Sequence, residues 1–201
     1  MATREFPKTD PAIPDFWEMR YRAALTPWDA GRVPVRLREW IARMPELGRV
    51  LVPGCGSGHD VRFLAEAGRD VVGIDFSPAA IEVARPGLGP FANRMRLADF
   101  FGPEVRGPYG FIYERAFLCA LPRRLWQDWA KRVAELVPGG GWLAGFFYVD
   151  DGERGPPFPL HHQDELDTLL VNGFVRREDL PVDDSISVFA GKERWQARQR
   201  L

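Results

Sequence analysis

Three glycines alternate at Gly54, Gly56 and Gly58, directly after the apolar run Val50-Leu51-Val52-Pro53 and directly before a segment of helical character. A short apolar run that ends in a turn is the mark of a buried strand. Residues without Cβ adopt positive φ without strain and let another group come close to the backbone. A strand that passes through such a turn into a helix is the first half of a βαβ unit, in which the next strand lies parallel.

The rest of the chain continues the alternation. Helices are expected over Phe16–Ala24 and Pro34–Met44; in the second, Leu37, Trp40, Ile41 and Met44 share one face. The first strand, Arg49–Pro53, leads through the glycines to a helix over Asp60–Ala67. A second strand is expected at Asp70–Ile74, with Ser77 as cap and Pro78 in the first turn of the helix after it. Met95–Leu97 is a third strand, Gly110–Tyr113 begins a fourth, and Trp142–Val149 is a fifth. Between the last two, Pro122–Leu136 is amphipathic, with Leu125, Trp126, Trp129, Val133 and Leu136 inward. A further helix is expected over His161–Val171 and a late strand over Ile186–Ala190. Strands separated by helices imply a doubly wound, mostly parallel, Rossmann-like α/β sheet, whose ligands bind at the carboxyl ends of the strands.

Composition narrows the function. With 27 basic and 28 acidic residues the formal net charge is -1, so no basic field exists to hold nucleic acid. No apolar stretch reaches the ~20 residues that span a bilayer, and the polar, Pro-rich start (residues 1–14, a loose arm) lacks the pattern of a secretory signal, so a cytoplasmic protein is expected. Cys55 and Cys119 have no partner at metal-ligand spacing and read as small packing residues; no metal is expected. His161-His162 reads as a solvated helix start. Seven Trp and fourteen Phe are enough to build an aromatic pocket as well as a core.

The glycine spacing bears on the ligand. The dinucleotide fingerprint G-x-G-x-x-G/A places its third small residue at 59, where this chain has His59, which disfavours a nicotinamide oxidoreductase. The G-x-G-x-G spacing resembles instead the first motif of class I methyltransferases, in which the turn holds the amino-acid part of the cofactor. Asp75 ends the second strand, where a carboxylate accepts hydrogen bonds from vicinal ribose hydroxyls. The alternative, a helix-capping aspartate, is weakened because Ser77 already caps. Asp99-Phe100 follows the third strand, as an acceptor for an adenine amine and an aromatic packed on the ring; the alternative is a strand end with core Phe residues.

Five blocks in order then carry a family resemblance: Thr26-Pro27-Trp28-Asp29-Ala30-Gly31; Val52-Pro53-Gly54-Cys55-Gly56-Ser57-Gly58-His59-Asp60; Phe111 to Leu121 (FIYERAFLCAL); Gly155-Pro156-Pro157-Phe158; and Gly191-Lys192-Glu193-Arg194. Over roughly residues 15 to 198 the chain resembles the thiopurine/thiol methyltransferase family, which includes thiocyanate and halide methyltransferases. The resemblance implies S-adenosylmethionine as cofactor and an N-terminal aromatic segment folded over it, here Trp17, Tyr21 and Trp28, with Tyr21 standing where the family usually has Trp. It implies one methyltransferase domain over 1–201, with arm and helical lid in 1–45 and the α/β core in 46–201. The expected cofactor contacts are Trp17, Tyr21, Trp28, Gly54, Gly56, Gly58, Asp75, Asp99, Phe100 and Glu114.

The expected acceptor is a small thiol or related soft sulfur nucleophile, with halide or thiopurine methylation, or a non-catalytic S-adenosylmethionine-binding regulator, as alternatives. A soft thiolate needs little help from a base once an aromatic pocket strips its water, and no lysine sits among the cofactor-side motifs. Arg115 is expected to hold an anionic acceptor or lower a thiol's pKa, against the alternative of an ion pair with Glu114 or another acid; Tyr148 is expected to face the same pocket. No oligomeric state is implied.

Overall fold

The apolar runs of the chain become adjacent strands of one seven-stranded sheet. This computed structural model describes residues 10–171 and 173–201 of the 201; most of the arm expected over 1–14 lies outside them. β1 (Val50–Pro53), β2 (Val71–Asp75), β3 (Met95–Leu97), β4 (Phe111–Arg115) and β5 (Trp142–Tyr148) pair in parallel, and β6 (Phe174–Pro181) and β7 (Glu193–Arg200) close the edge antiparallel. The order is β3-β2-β1-β4-β5-β7-β6, so the chain reverses direction across the sheet between β1 and β4. In an open sheet that reversal leaves a crevice at the carboxyl ends of the two strands.

Alternation along each strand divides the core into two layers. Val50, Val52, Phe111, Tyr113 and Phe146 face α2 (Val35–Arg43) and α3 (His59–Glu66), with Leu37, Trp40, Ile41, Val61 and Leu64 packed against them. Leu51, Ile112, Leu143 and Phe147 face α5 (Trp126–Leu136), which buries Trp126, Trp129, Val133 and Leu136. A fully buried large apolar side chain contributes about 1.5–3 kcal/mol, so these stripes hold the layers together. α1 (Pro14–Arg22) lies against α4 (Pro78–Leu88), which Ser77 caps by accepting the Ala80 N–H at 3.3 Å.

Two elements differ from expectation. Residues 161–164 are not helical, and α6 is confined to Glu165–Leu169. The cause is a β-bridge: Leu160 N donates to Tyr148 O at 2.9 Å and Asp150 N to Leu160 O at 3.0 Å, holding the chain extended up to His161. Ile186–Ala190 is not a strand. Phe189 N donates to Ile186 O, and Lys192 N to Phe189 O, in successive turns; the strands are β6 and β7 on either side. Among the described residues no helix is long and apolar enough to cross a membrane.

Candidate functional site

A cavity of about 620 Å³ opens at the carboxyl ends of β1, β2 and β4. Its floor is the glycine turn. Gly54 and Gly56 have φ of +58° and +50°; a Cβ on Gly54 would lie 2.6 Å from Phe117 Cδ2, and one on Gly56 would lie 2.7 Å from the Tyr21 hydroxyl. Only glycine leaves this cradle open. Gly58, also lining the cavity, is the residue from which α3 starts.

Asp75 stands at one side of the turn and is 7% exposed. Its Oδ2 accepts the Gly56 N–H at 3.1 Å and its Oδ1 the Ser77 N–H at 2.9 Å. Burial pushes the carboxyl up to about 6, against the pull of those backbone donors. A carboxylate has about four acceptor sites, so capacity is left for donors of a bound molecule. Asp99 and Phe100 line the same side. Asp99 is exposed and turns its Oδ1 to the Phe101 N–H at 3.0 Å. Phe100 is buried, its ring edge-on to Phe117 at 5.2 Å, so it serves the core and the cavity wall together.

Trp17, Tyr21 and Trp28 form the roof. Trp28 meets Trp17 and Tyr21 edge-on at centroid distances of 5.3 and 5.9 Å, and the cluster rests on Ala79 and Ala80 of α4. Two carboxylates fasten this roof to the core. Glu18 Oε2 accepts from Ser77 Oγ at 2.7 Å and from Ala79 N at 2.8 Å, at the start of α4. Burial pulls the Glu18 carboxyl up, but these bonds and the Arg22 guanidinium hold it below its ordinary value. Asp29 accepts from Ser57 Oγ through Oδ2; its Oδ1 accepts the Gly31 N–H at 2.8 Å and lies 3.5 Å from His59 Nε2.

Arg115, at the end of β4, also lines the cavity. Its Nη1 lies 3.5 Å from Asp60 Oδ2 and donates to Arg32 O at 3.3 Å, and its guanidinium lies 5.7 Å from the centre of the Phe146 ring. The acid that pairs with it is therefore Asp60 of α3, not Glu114. Phe117, Val188, Phe189, Pro156 and Pro157 supply apolar wall to the same cavity. The apolar letters at 186–190 that suggest a strand are here the residues of a wall.

Two expected site residues lie outside the cavity lining. Glu114 is 1% exposed and points to the other face of the sheet, where its Oε1 accepts the Phe117 and Leu118 N–H groups at 2.8 Å each; burial pushes its carboxyl up to about 7. Neighbours on a strand face opposite ways; Arg115 turns to Asp60 of α3 and lines the cavity, while Glu114 is spent on the two backbone N–H groups that follow the strand. Tyr148 is part-buried beside Phe189, and its hydroxyl donates to Asp150 Oδ2 at 2.7 Å. Burial pushes both cysteine thiols well up, which keeps them protonated. Glu18, Asp29, His59 and Asp60 are the polar groups that sequence reasoning missed. Three of them sit inside the family blocks, but their partners lie tens of residues away, beyond the reach of any periodicity.

A family model described as "Thiopurine S-methyltransferase (TPMT)" matches residues 12–200. The chain is 35% identical over 190 residues to "Thiocyanate methyltransferase 1" of Brassica oleracea, covering 89% of this chain and 83% of that protein. It is 29% identical over 196 residues to "Thiopurine S-methyltransferase" of Vibrio cholerae, covering 87% and 89%. Among solved structures, the 1,6-didemethyltoxoflavin-N1-methyltransferase of Burkholderia thailandensis, with 1,6-didemethyltoxoflavin and S-adenosylhomocysteine bound, superposes with a TM-score of 0.75 at 15% identity over 98% of this chain and 92% of that one. At that identity the likeness is one of fold.

Proposed function

Since the chain belongs to the thiopurine S-methyltransferase family and is an S-adenosylmethionine-dependent methyltransferase, we propose that it methylates a small thiol or related soft sulfur nucleophile beside Arg115. One observation carries the reading: one cavity is lined by the glycine turn, Asp75, the Arg115 guanidinium and a set of apolar side chains.

When bound, S-adenosylmethionine supplies a sulfonium methyl group as the electrophile. The turn at Gly54, Gly56 and Gly58 offers open backbone for its amino-acid part. The free capacity of Asp75 suits ribose hydroxyls, and Asp99 suits the adenine amine. Trp17, Tyr21 and Trp28 keep water from the reacting atoms. Excluding water strengthens every electrostatic contact inside the site, and among these is the hold of Arg115 on an anionic sulfur. Arg115 stays charged at working pH, so it holds the anion without taking a proton. Its partner Asp60 is also in the cavity lining, and it fixes the guanidinium in place.

The test is turnover of a panel of thiols, thiocyanate, halides and thiopurines by the wild type, with Arg115→Ala and Arg115→Ala/Asp60→Asn alongside. The double variant matters because Arg115→Ala alone leaves the Asp60 carboxylate without its counter-ion. Methylation of acidic thiols should fall tenfold or more in both variants, a loss of about 1.5–3 kcal/mol of charge-assisted bonding, with cofactor affinity unchanged. Turnover of halides alone, or loss of activity only in proportion to stability, would refute the reading.

A further inference from the structure

A thiol that is not ionised in solution must lose its proton before its sulfur can attack, and Arg115 cannot take it. The cavity holds another group that can. His59 lines it at the first residue of α3, and its side chain is 43% exposed. The Nε2 of this imidazole lies 3.5 Å from Asp29 Oδ1. A carboxylate beside one ring nitrogen favours the tautomer that carries its hydrogen there, which leaves the lone pair on the other nitrogen, Nδ1. Asp29 is itself held by Ser57 Oγ and the Gly31 N–H, so the carboxylate beside the ring is fixed on two sides.

Two charged neighbours of the cavity stand in ion pairs. Asp60, next in sequence, faces Arg115 through Oδ2 at 3.5 Å, while its Oδ1 is buried without a hydrogen-bond partner, out of reach of the solvent exchange a proton acceptor needs. Arg32 is paired with Asp184 at 2.9 Å. His59 therefore combines a place in the cavity lining, a neighbouring acid and an edge open to solvent.

We propose that His59 is a general base of this enzyme for acceptors that arrive protonated, with Asp29 as its positioning residue; the proposal rests on the sulfur-acceptor reading above. The acceptor's S–H bond breaks, its electron pair stays on sulfur, and the proton passes to His59 Nδ1. The thiolate is then the nucleophile for the family's methyl transfer, and the imidazolium returns its proton to water through its exposed edge. An acceptor that arrives as an anion bypasses His59.

That difference supplies the experiment. Two thiols of similar size are compared at neutral pH: 4-nitrothiophenol, which is ionised, and phenylmethanethiol, which is protonated. General-base catalysis contributes about 10²–10⁴-fold, so His59→Asn and His59→Ala should lower kcat/KM for phenylmethanethiol about a hundredfold or more and leave 4-nitrothiophenol within about twofold, a change too small for a lost proton transfer. Added imidazole should restore phenylmethanethiol turnover in His59→Ala only. Asp29→Asn should give a smaller loss with the same preference for the protonated thiol. Equal losses on both thiols mean that His59 only fastens the roof, and no loss on either means that it does neither; both outcomes overturn the proposal. A wild type that turns over neither thiol refutes the sulfur-acceptor reading, and the base role with it.

Discussion

Placing a methyl group on Gly56 tests whether the aromatic roof is seated on the glycine turn. Gly56 has φ +50°, and its missing Cβ would stand 2.7 Å from the Tyr21 hydroxyl, with the next atom, Tyr21 Cζ, at 3.8 Å. Two costs therefore add in Gly56→Ala. A left-handed backbone costs an alanine about 1–2 kcal/mol. The clash costs a further ~1–3 kcal/mol, because forcing an atom into a packed contact moves side chains and backbone. Tyr21 is 7% exposed and wedged among Trp28, Ala79 and Ala80, so it yields only by shifting α1. Tyr21→Phe removes the offending oxygen and leaves a contact at 3.8 Å, which is ordinary. The cost of Tyr21→Phe alone is measured as one leg of the cycle. The double variant should then be more stable than the sum of the two losses by roughly 1–3 kcal/mol, the clash energy. Urea unfolding of the four proteins measures the cycle, and calorimetry with S-adenosylhomocysteine should show affinity lost in Gly56→Ala and partly regained in the double variant. Additivity within about 0.5 kcal/mol would show that Tyr21 does not sit on the turn, and the roof would have to be placed elsewhere.

Two further outcomes depend on protonation. If the ionised Asp75 carboxylate receives the ribose hydroxyls, affinity for S-adenosylhomocysteine should fall as pH drops through about 6, and Asp75→Asn should remove that dependence while weakening binding by about 1.5–3 kcal/mol; a parallel pH dependence in the variant counts against the assignment. Glu114 has a folded pKa of about 7 against 4.5, so the native state binds more protons in that window, and the stability this contributes is present below 4.5 and lost as pH rises through about 7. Glu114→Gln keeps an oxygen for the Phe117 and Leu118 N–H groups and carries no charge, so it should raise the melting temperature at pH 8 and change it little at pH 4. At 1.36 kcal/mol per pKa unit the gain is at most about 3 kcal/mol; equal effects at both pH values would mean that the carboxylate is not destabilising where it lies.

What the sequence by itself determined lies within a few residues of chain. The strand, turn and helix around Gly54–Gly58, the Ser77-Pro78 helix start and the buried stripes of α2 and α5 all follow from local sterics and from periods of two and 3.6 residues. The position of Asp75 follows too, because it ends a strand whose direction the glycine turn already implies. The late hairpin was not legible. β6 and β7 read Phe-Val-Arg-Arg-Glu-Asp-Leu-Pro and Glu-Arg-Trp-Gln-Ala-Arg-Gln-Arg, yet Gln196 and Arg198 are buried. Arg198 is tolerated there because Asp167 of α6, a partner that only folding brings in, lies 2.6 Å away, and Gln196, two residues along the same strand, accepts from its guanidinium. Glu114 and Arg115 show the same limit. Alternation requires that they part company, but which partner each one finds depends on tertiary packing, which brings Asp60 of α3 to Arg115 and leaves Glu114 to the backbone N–H groups of Phe117 and Leu118. The meeting of Asp29 with His59 depends likewise on how the N-terminal segment crosses the glycine turn. Local forces act along the chain and can be read from it; the partners that make a buried charge or an oriented imidazole acceptable come from distant segments, and only tertiary packing brings them together.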